Sequence, residues 1–160
     1  MSPGTIVTPL AADALKERGI TLATALPDSP DNRVRGTVGV MVVKGTVAFE
    51  QVLSRSIETT GYRCNTIQGA GQDPDRTLTT LSQKVVRGEL DGAVVIDDKA
   101  FCRTITANRI PGVRATMVWD TESSRLARTG CKSNILLVSP MLTPYDRIPE
   151  IVQAWLSSSR

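Results

Sequence analysis

Five short runs rich in branched apolar residues, each separated from the next by a stretch with helical spacing, set the tightest limit on what this chain can fold into. Residues 37–43 (TVGVMVV), 62–67 (YRCNTI), 93–96 (AVVI), 114–118 (RATMV) and 134–138 (NILLV) read as strands. Between the first two, Phe49, Val52, Leu53 and Ile57 recur on one helical face, and Gly61 stops the pattern. Asp73 followed by Pro74 predicts a capped helix with Leu78, Leu81 and Val85 inward, ending near Gly88. Further helices are expected to begin near Asp98 and Asp120. Thr143 and Pro144 are expected to open the last one, whose Ile148, Ile151, Val152, Trp155 and Leu156 form an apolar stripe. Strand and helix alternate throughout, so the expected class is α/β, an open parallel sheet with helices on both faces. In such sheets ligands sit outside the carboxyl ends of the strands. That directs attention to residues 44–46, 97–102, 119–120 and 139–141.

The first 36 residues differ in texture. Thr8 and Pro9 read as a cap and first turn, residues 10–18 as a short helix, Gly19 as its stop and 20–23 as a stretch able to extend. Residues 24–36 (TALPDSPDNRVRG), with two prolines and few apolar groups, read as a linker. The expected division is a docking helix and linker over 1–36 and an α/β domain over 37–160. A helix that short is marginal alone and needs a surface to dock on.

Composition narrows the function classes. The 160 residues carry 19 basic and 16 acidic side chains, interleaved without a basic block, so nucleic acid is not an expected partner. No apolar stretch approaches the roughly 18 residues of a membrane span, and no secretory leader is recognisable at the N-terminus. Three widely spaced cysteines, Cys64, Cys102 and Cys131, fit reduced thiols better than a disulfide framework or a zinc site, and the expected location is cytoplasmic. The sequence holds no histidine. Neither a cofactor nor a metal is expected: adjacent Asp97 and Asp98 on one strand point to opposite faces and would not aim at a common ion. Lys44-Gly45-Thr46 lacks the glycine-rich run of a phosphate-binding Walker loop.

Ala107 and Asn108, Pro111 and Gly112, Arg114 and Ala115, and the run 125–128 (RLAR) resemble, in one register, the ribose-5-phosphate isomerase B family, which includes the galactose-6-phosphate isomerase subunits. The resemblance implies a three-layer Rossmann-like sandwich on a five-stranded parallel sheet, and at least a homodimer. It also implies where isomerase chemistry would lie. The family's sugar-binding Asp-His pair aligns with Val43 and Lys44, and its two histidine positions align with Trp119 and Gly130. A base position used by one branch aligns with Asp97, and that of the other with Arg103. The family's glycine-rich anion loop is here Asp98, Lys99, Ala100, Phe101 and Cys102. Side chains in place of glycine crowd backbone donors that would approach an oxyanion, so an ordinary helix start is expected there. One phosphate-arginine position aligns with Met141, and the usual C-terminal arginine tail is not expected within this sequence.

The resemblance thus implies a scaffold whose acid, base, anion hole and phosphate clamp have been replaced. The preferred expectation is a non-catalytic or repurposed binding or assembly protein. The alternative is an active sugar-phosphate isomerase, or another small-metabolite enzyme, with Asp97 as base and Lys44, Lys99 or Arg103 holding the anion. Asp98, Trp119 and Asp120 complete the candidate ligand-binding residues, with a sugar phosphate as the candidate ligand. Asp97 or Asp98 is better suited to capping the helix that follows than to acting as a base. Phe101 and Trp119 are the side chains able to fill a former pocket, and 69–71 (GAG) reads as a flexible connection. Residues 4–22 (GTIVTPLAADALKERGITL) resemble N-terminal segments of proteins associated with bacterial microcompartments, including ethanolamine-utilisation cobalamin adenosyltransferases. That likeness implies a microcompartment partner for residues 1–36, and the heteromeric members of the isomerase family suggest a paralogous subunit as the alternative.

Overall fold

The structure, a computed structural model, describes residues 33–158. The helix expected over 10–18, its Thr8, Pro9 and Gly19 boundaries, residues 20–23 and the linker up to 32 lie outside the described residues. Ten elements alternate without exception: β1 (Gly36–Val42), α1 (Val47–Glu58), β2 (Tyr62–Thr66), α2 (Pro74–Val86), β3 (Gly92–Ile96), α3 (Ala100–Asn108), β4 (Ala115–Val118), α4 (Thr121–Thr129), β5 (Ile135–Val138) and α5 (Ile148–Ser157). All strand pairs are parallel, in the order β2-β1-β3-β5-β4. This is the expected α/β sandwich.

The two-residue period of each strand divides the core. Val38, Val40, Val42, Val94, Ile96, Leu136 and Val138 face Leu53 and Ile57 of α1, Ala127 of α4 and the apolar stripe of α5. Met41, Ala93, Val95, Ile135 and Leu137 face Leu78, Leu81 and Val85 of α2, and Ala100 and Ala107 of α3. Each fully buried leucine or isoleucine of these clusters contributes about 1.5–3 kcal/mol relative to exposure. Val52 was expected inward, yet it is 54% exposed. Leu53, Ser56 and Ile57 are the buried residues of α1, and Val52 sits about 100° of helical turn from Leu53.

Helix starts follow side-chain chemistry. The Asp73 carboxylate accepts from Arg76 N–H, and Asp120 and Ser123 cap α4 reciprocally. The last helix departs from expectation by starting at Ile148. The Thr143 hydroxyl donates to the Trp119 carbonyl and is not available as a cap, and turns close from Arg147 N–H to Pro144 O and from Ile148 N–H to Tyr145 O before the helix begins. Pro149 occupies its first turn. The 69–71 segment is a packed turn, contrary to a flexible connection. Ala70 is buried, Gly69 has φ 72°, and a Cβ on Gly71 would lie 2.9 Å from Val43 O. No helix among the described residues is long and apolar enough to cross a membrane.

Candidate functional site

The strand order reverses at β1. The chain runs from β1 outward to β2, then returns to place β3 on β1's other side, so the carboxyl ends of β1 and β3 flank a topological switch point. Val43 and Lys44 leave one strand there, and Asp97 and Asp98 leave the other. Because Ala93 and Val95 face α2 and α3, the same alternation sends Asp97 to that side. Its carboxylate is buried, with the side chain 5% exposed. Oδ1 accepts from Lys99 N–H at 3.0 Å, and Oδ2 accepts from Arg103 Nε at 2.7 Å. Arg103 lies one helical turn into α3, itself buried, and its Nη1 donates to Asp75 of α2. Asp98 lies on the other side of the strand. It receives Lys44 Nζ at 3.4 Å, and its carbonyl accepts from the buried Ser139 hydroxyl at the end of β5.

Three backbone donors around the start of α3 are spent within the chain. Lys99 N–H is given to Asp97 Oδ1, Ala100 N–H to Asp97 O, and Arg103 N–H to Lys99 O. Each candidate at this end meets a partner inside the chain except the exposed Lys99 side chain, which joins none of the ion pairs among the described residues. Asp97 and Asp98 each face a cation, and no group of three or more His, Cys, Asp and Glu able to hold a metal occurs among the described residues.

Trp119 and Asp120 do not join this group. They follow β4, the edge strand, with β5 between them and β3. Asp120 Oδ1 accepts from Ser123 N–H at 2.7 Å. Hydrogen bonds from Ser123, first its side chain and then its backbone, hold the Asp120 carboxyl below the ordinary value of 3.8. Trp119 and Asp120 line a cleft of about 150 Å³ with Thr143, Arg147 and Glu150. Phe101 and Trp119, the side chains able to fill the strand ends, are 61% and 56% exposed and do not fill them. A wider hollow of about 470 Å³ lies by the end of β1, formed by Gly45, Thr46, Phe49 and Tyr145. Its aromatic rings meet edge to face with centroids 4.8 Å apart, and the Tyr145 hydroxyl donates to Lys44 O at 2.9 Å.

Four contributors escaped the sequence reading: Asp75, Tyr145, Arg147 and Glu150. Asp75 carried only the signal of an acid in a helix's first turn, which does not reveal a partner 28 residues later.

The model of the family "Ribose/Galactose Isomerase" matches residues 43–160, and so covers most of the chain and every strand end described above except the last residue of β1. The chain belongs to the ribose/galactose isomerase family. Two curated proteins are similar to it. YwlF of Bacillus subtilis, provisionally named a sugar phosphate isomerase, is 28% identical over 102 residues, 64% of this chain and 68% of that protein. Ribose-5-phosphate isomerase B of Escherichia coli is 30% identical over 74 residues, 46% of this chain and half the length of that enzyme. Among solved structures, ribose-5-phosphate isomerase B of Clostridium thermocellum superposes with a TM-score of 0.66 at 24% identity, over 75% of this chain and 83% of that one. The isomerase scaffold is thus retained. Asp97 and Arg103 are joined by an ion pair at this end of the sheet.

Proposed function

We propose that this protein is a ribose-5-phosphate isomerase B-like member whose catalytic and phosphate-binding residues have been replaced, and that it works as a binding or assembly protein. One observation carries the reading: both oxygens of Asp97, the residue best placed to inherit the family's base role, are engaged within the chain by Lys99 N–H and Arg103 Nε. A general base must reach a substrate proton within about 3 Å. A carboxylate that is 5% exposed and tied to a guanidinium is poorly disposed to do so. The absence of histidine anywhere in the sequence supports the same conclusion.

Assembly has its own support. Phe101 and Ile105 on α3, Trp119 after β4, and Met141 and Leu142 after β5 are exposed apolar groups. We assign them to a homodimer or larger assembly. Residues 1–36 act as a docking helix and linker toward a microcompartment component or a paralogous subunit, a role that rests on the likeness of residues 4–22 to such segments.

The deciding experiment is NMR of ribose 5-phosphate with the full chain in deuterated water, at high protein concentration. The expected result is neither ribulose 5-phosphate nor deuterium at C2. Exchange that disappears in Asp97→Asn would overturn the proposal and establish a rebuilt isomerase.

A further inference from the structure

The two edges of the sheet are finished differently. On β4, Asn108 takes both the N–H and the C=O of Ala115, so the start of that edge is already paired within the chain. On β2, Ile67 N–H donates to Val40 O and Gly61 O accepts from Arg35 N–H, so the odd-numbered residues there turn their backbone toward β1. By alternation, Cys64 and Thr66 direct their N–H and C=O groups outward, where no strand pairs with β2 among the described residues. An unpaired edge of this kind is a template for a further strand. Its flank is basic. Cys64 packs toward α1, so Arg63 and Asn65, both exposed, stand on the other face. The helix on that face, α2, is seated over β1, where a Cβ on Gly39 would lie 2.5 Å from Leu81. Beside it a hollow of about 210 Å³ is formed by Ile67, Arg76, Thr77, Thr80, Leu81 and Lys84. Arg76, Thr80 and Lys84 follow one row of the helix, and Arg63, Arg76 and Lys84 join none of the ion pairs among the described residues. The acids that open α2 are engaged elsewhere, Asp73 as its cap and Asp75 with Arg103.

We infer that the open edge of β2, with α2 beside it, is a docking site for an extended acidic segment of another protein, which adds to the sheet as a further strand. The edge demands a partner that repeats donor and acceptor at the rise of a strand, and a polypeptide supplies both. The unpaired cations select carboxylates on the face toward α2, and the hollow over Ile67 and Leu81 receives an aliphatic stem beside them. A second copy of this chain fits less well, since pairing two β2 edges about a twofold axis sets both basic flanks on the same face. This surface uses none of the residues at the β1 and β3 ends and none of residues 1–32. The inference therefore goes beyond the proposed function and holds whether or not the chain is catalytic.

Fluorescence anisotropy of the full chain tests it, with a labelled peptide that alternates glutamate and valine. The parent is expected to bind this peptide, more weakly as salt rises, and not to bind the counterpart made of lysine and valine. The fully N-methylated glutamate peptide keeps its charges, loses every N–H and should not bind, which separates strand pairing from simple charge attraction. In the protein, Arg76→Glu with Lys84→Glu reverses two surface charges and is expected to weaken binding about tenfold, with circular dichroism unchanged. Cys64→Pro blocks the open edge, leaves the bonds to β1 made by its neighbours, and should abolish binding. No binding by the parent overturns the inference, as does equal binding of the N-methylated peptide or by the folded charge-reversed variant. A parent that binds no peptide, sediments as a dimer and becomes a monomer on Cys64→Pro would give the edge to a second copy and overturn it as well.

Discussion

The two ends of the sheet have been built to different ends. At the amino ends of the strands, polar side chains satisfy backbone groups. Asn108 both donates to Ala115 O and accepts from Ala115 N–H at 2.8 Å. Asn134 accepts from Arg114 N–H and donates to Gly112 O, while Arg114 Nε donates to Lys132 O. Below them, Trp155 Nε1 donates to Ser133 Oγ, with the Arg128 guanidinium 4.6 Å from the ring centroid. At the carboxyl ends, charged side chains are also paired with one another, Asp97 with Arg103 and Lys44 with Asp98. The motifs that resemble the isomerase family, Asn108, Pro111, Gly112 and Arg114, belong to the amino end. Resemblance at these positions therefore reports how the scaffold is held together, while the candidate site lies at the other end. Fold and function separate here along one axis of one sheet.

The sharpest way to break this contrast is at Trp155, which is fully buried and packs against Gly92, where an added Cβ would lie 2.8 Å from the ring. Trp155→Ala is expected to cost about 3–5 kcal/mol in urea unfolding. A loss below about 1 kcal/mol would mean the amino end is not the rigid half. Next comes a matched pair. Asn108→Ala leaves both backbone groups of Ala115 without that partner and should cost about 2 kcal/mol. Lys44→Ala, which breaks a pair whose lysine side chain is 76% exposed, should cost less than about 1 kcal/mol. Equal losses would erase the difference between the ends.

The smallest effect concerns Asp120. Its carboxyl is held below 3.8 in the folded chain, so its contribution is present above that value and is lost as pH falls through the lower folded value. Thermal melting across the acid range should therefore fall less steeply in Asp120→Asn than in the parent. Identical slopes would show that the Ser123 cap does not couple to protonation.

Much of the scaffold could be read from residue order because its signals are local. Runs such as 93–96 and 134–138 announce buried strands, and Asp73 and Asp120 announce helix starts through side chains that reach only three residues ahead. The same local reasoning misplaced the last helix, since Thr143 and Pro144 imitate a cap while the Thr143 hydroxyl serves a carbonyl 24 residues earlier. Position along the strands named the β1 and β3 ends as a site, but not its pairings. Asp75 meets Arg103 only because α2 and α3 share one face of the sheet, and Lys44 meets Asp98 only because β3 lies beside β1. Nothing in the composition of either segment encodes that adjacency. Trp119 and Asp120 were grouped with the others because all follow strands, and the intervening β5 separates them.

Asn108 treats Ala115 much as a neighbouring strand would, taking its N–H and supplying a donor to its C=O. The side chain thereby works as a ruler for the connection 109–114. One residue inserted in that stretch would break both bonds at once, so the clamp fixes the length of this connection.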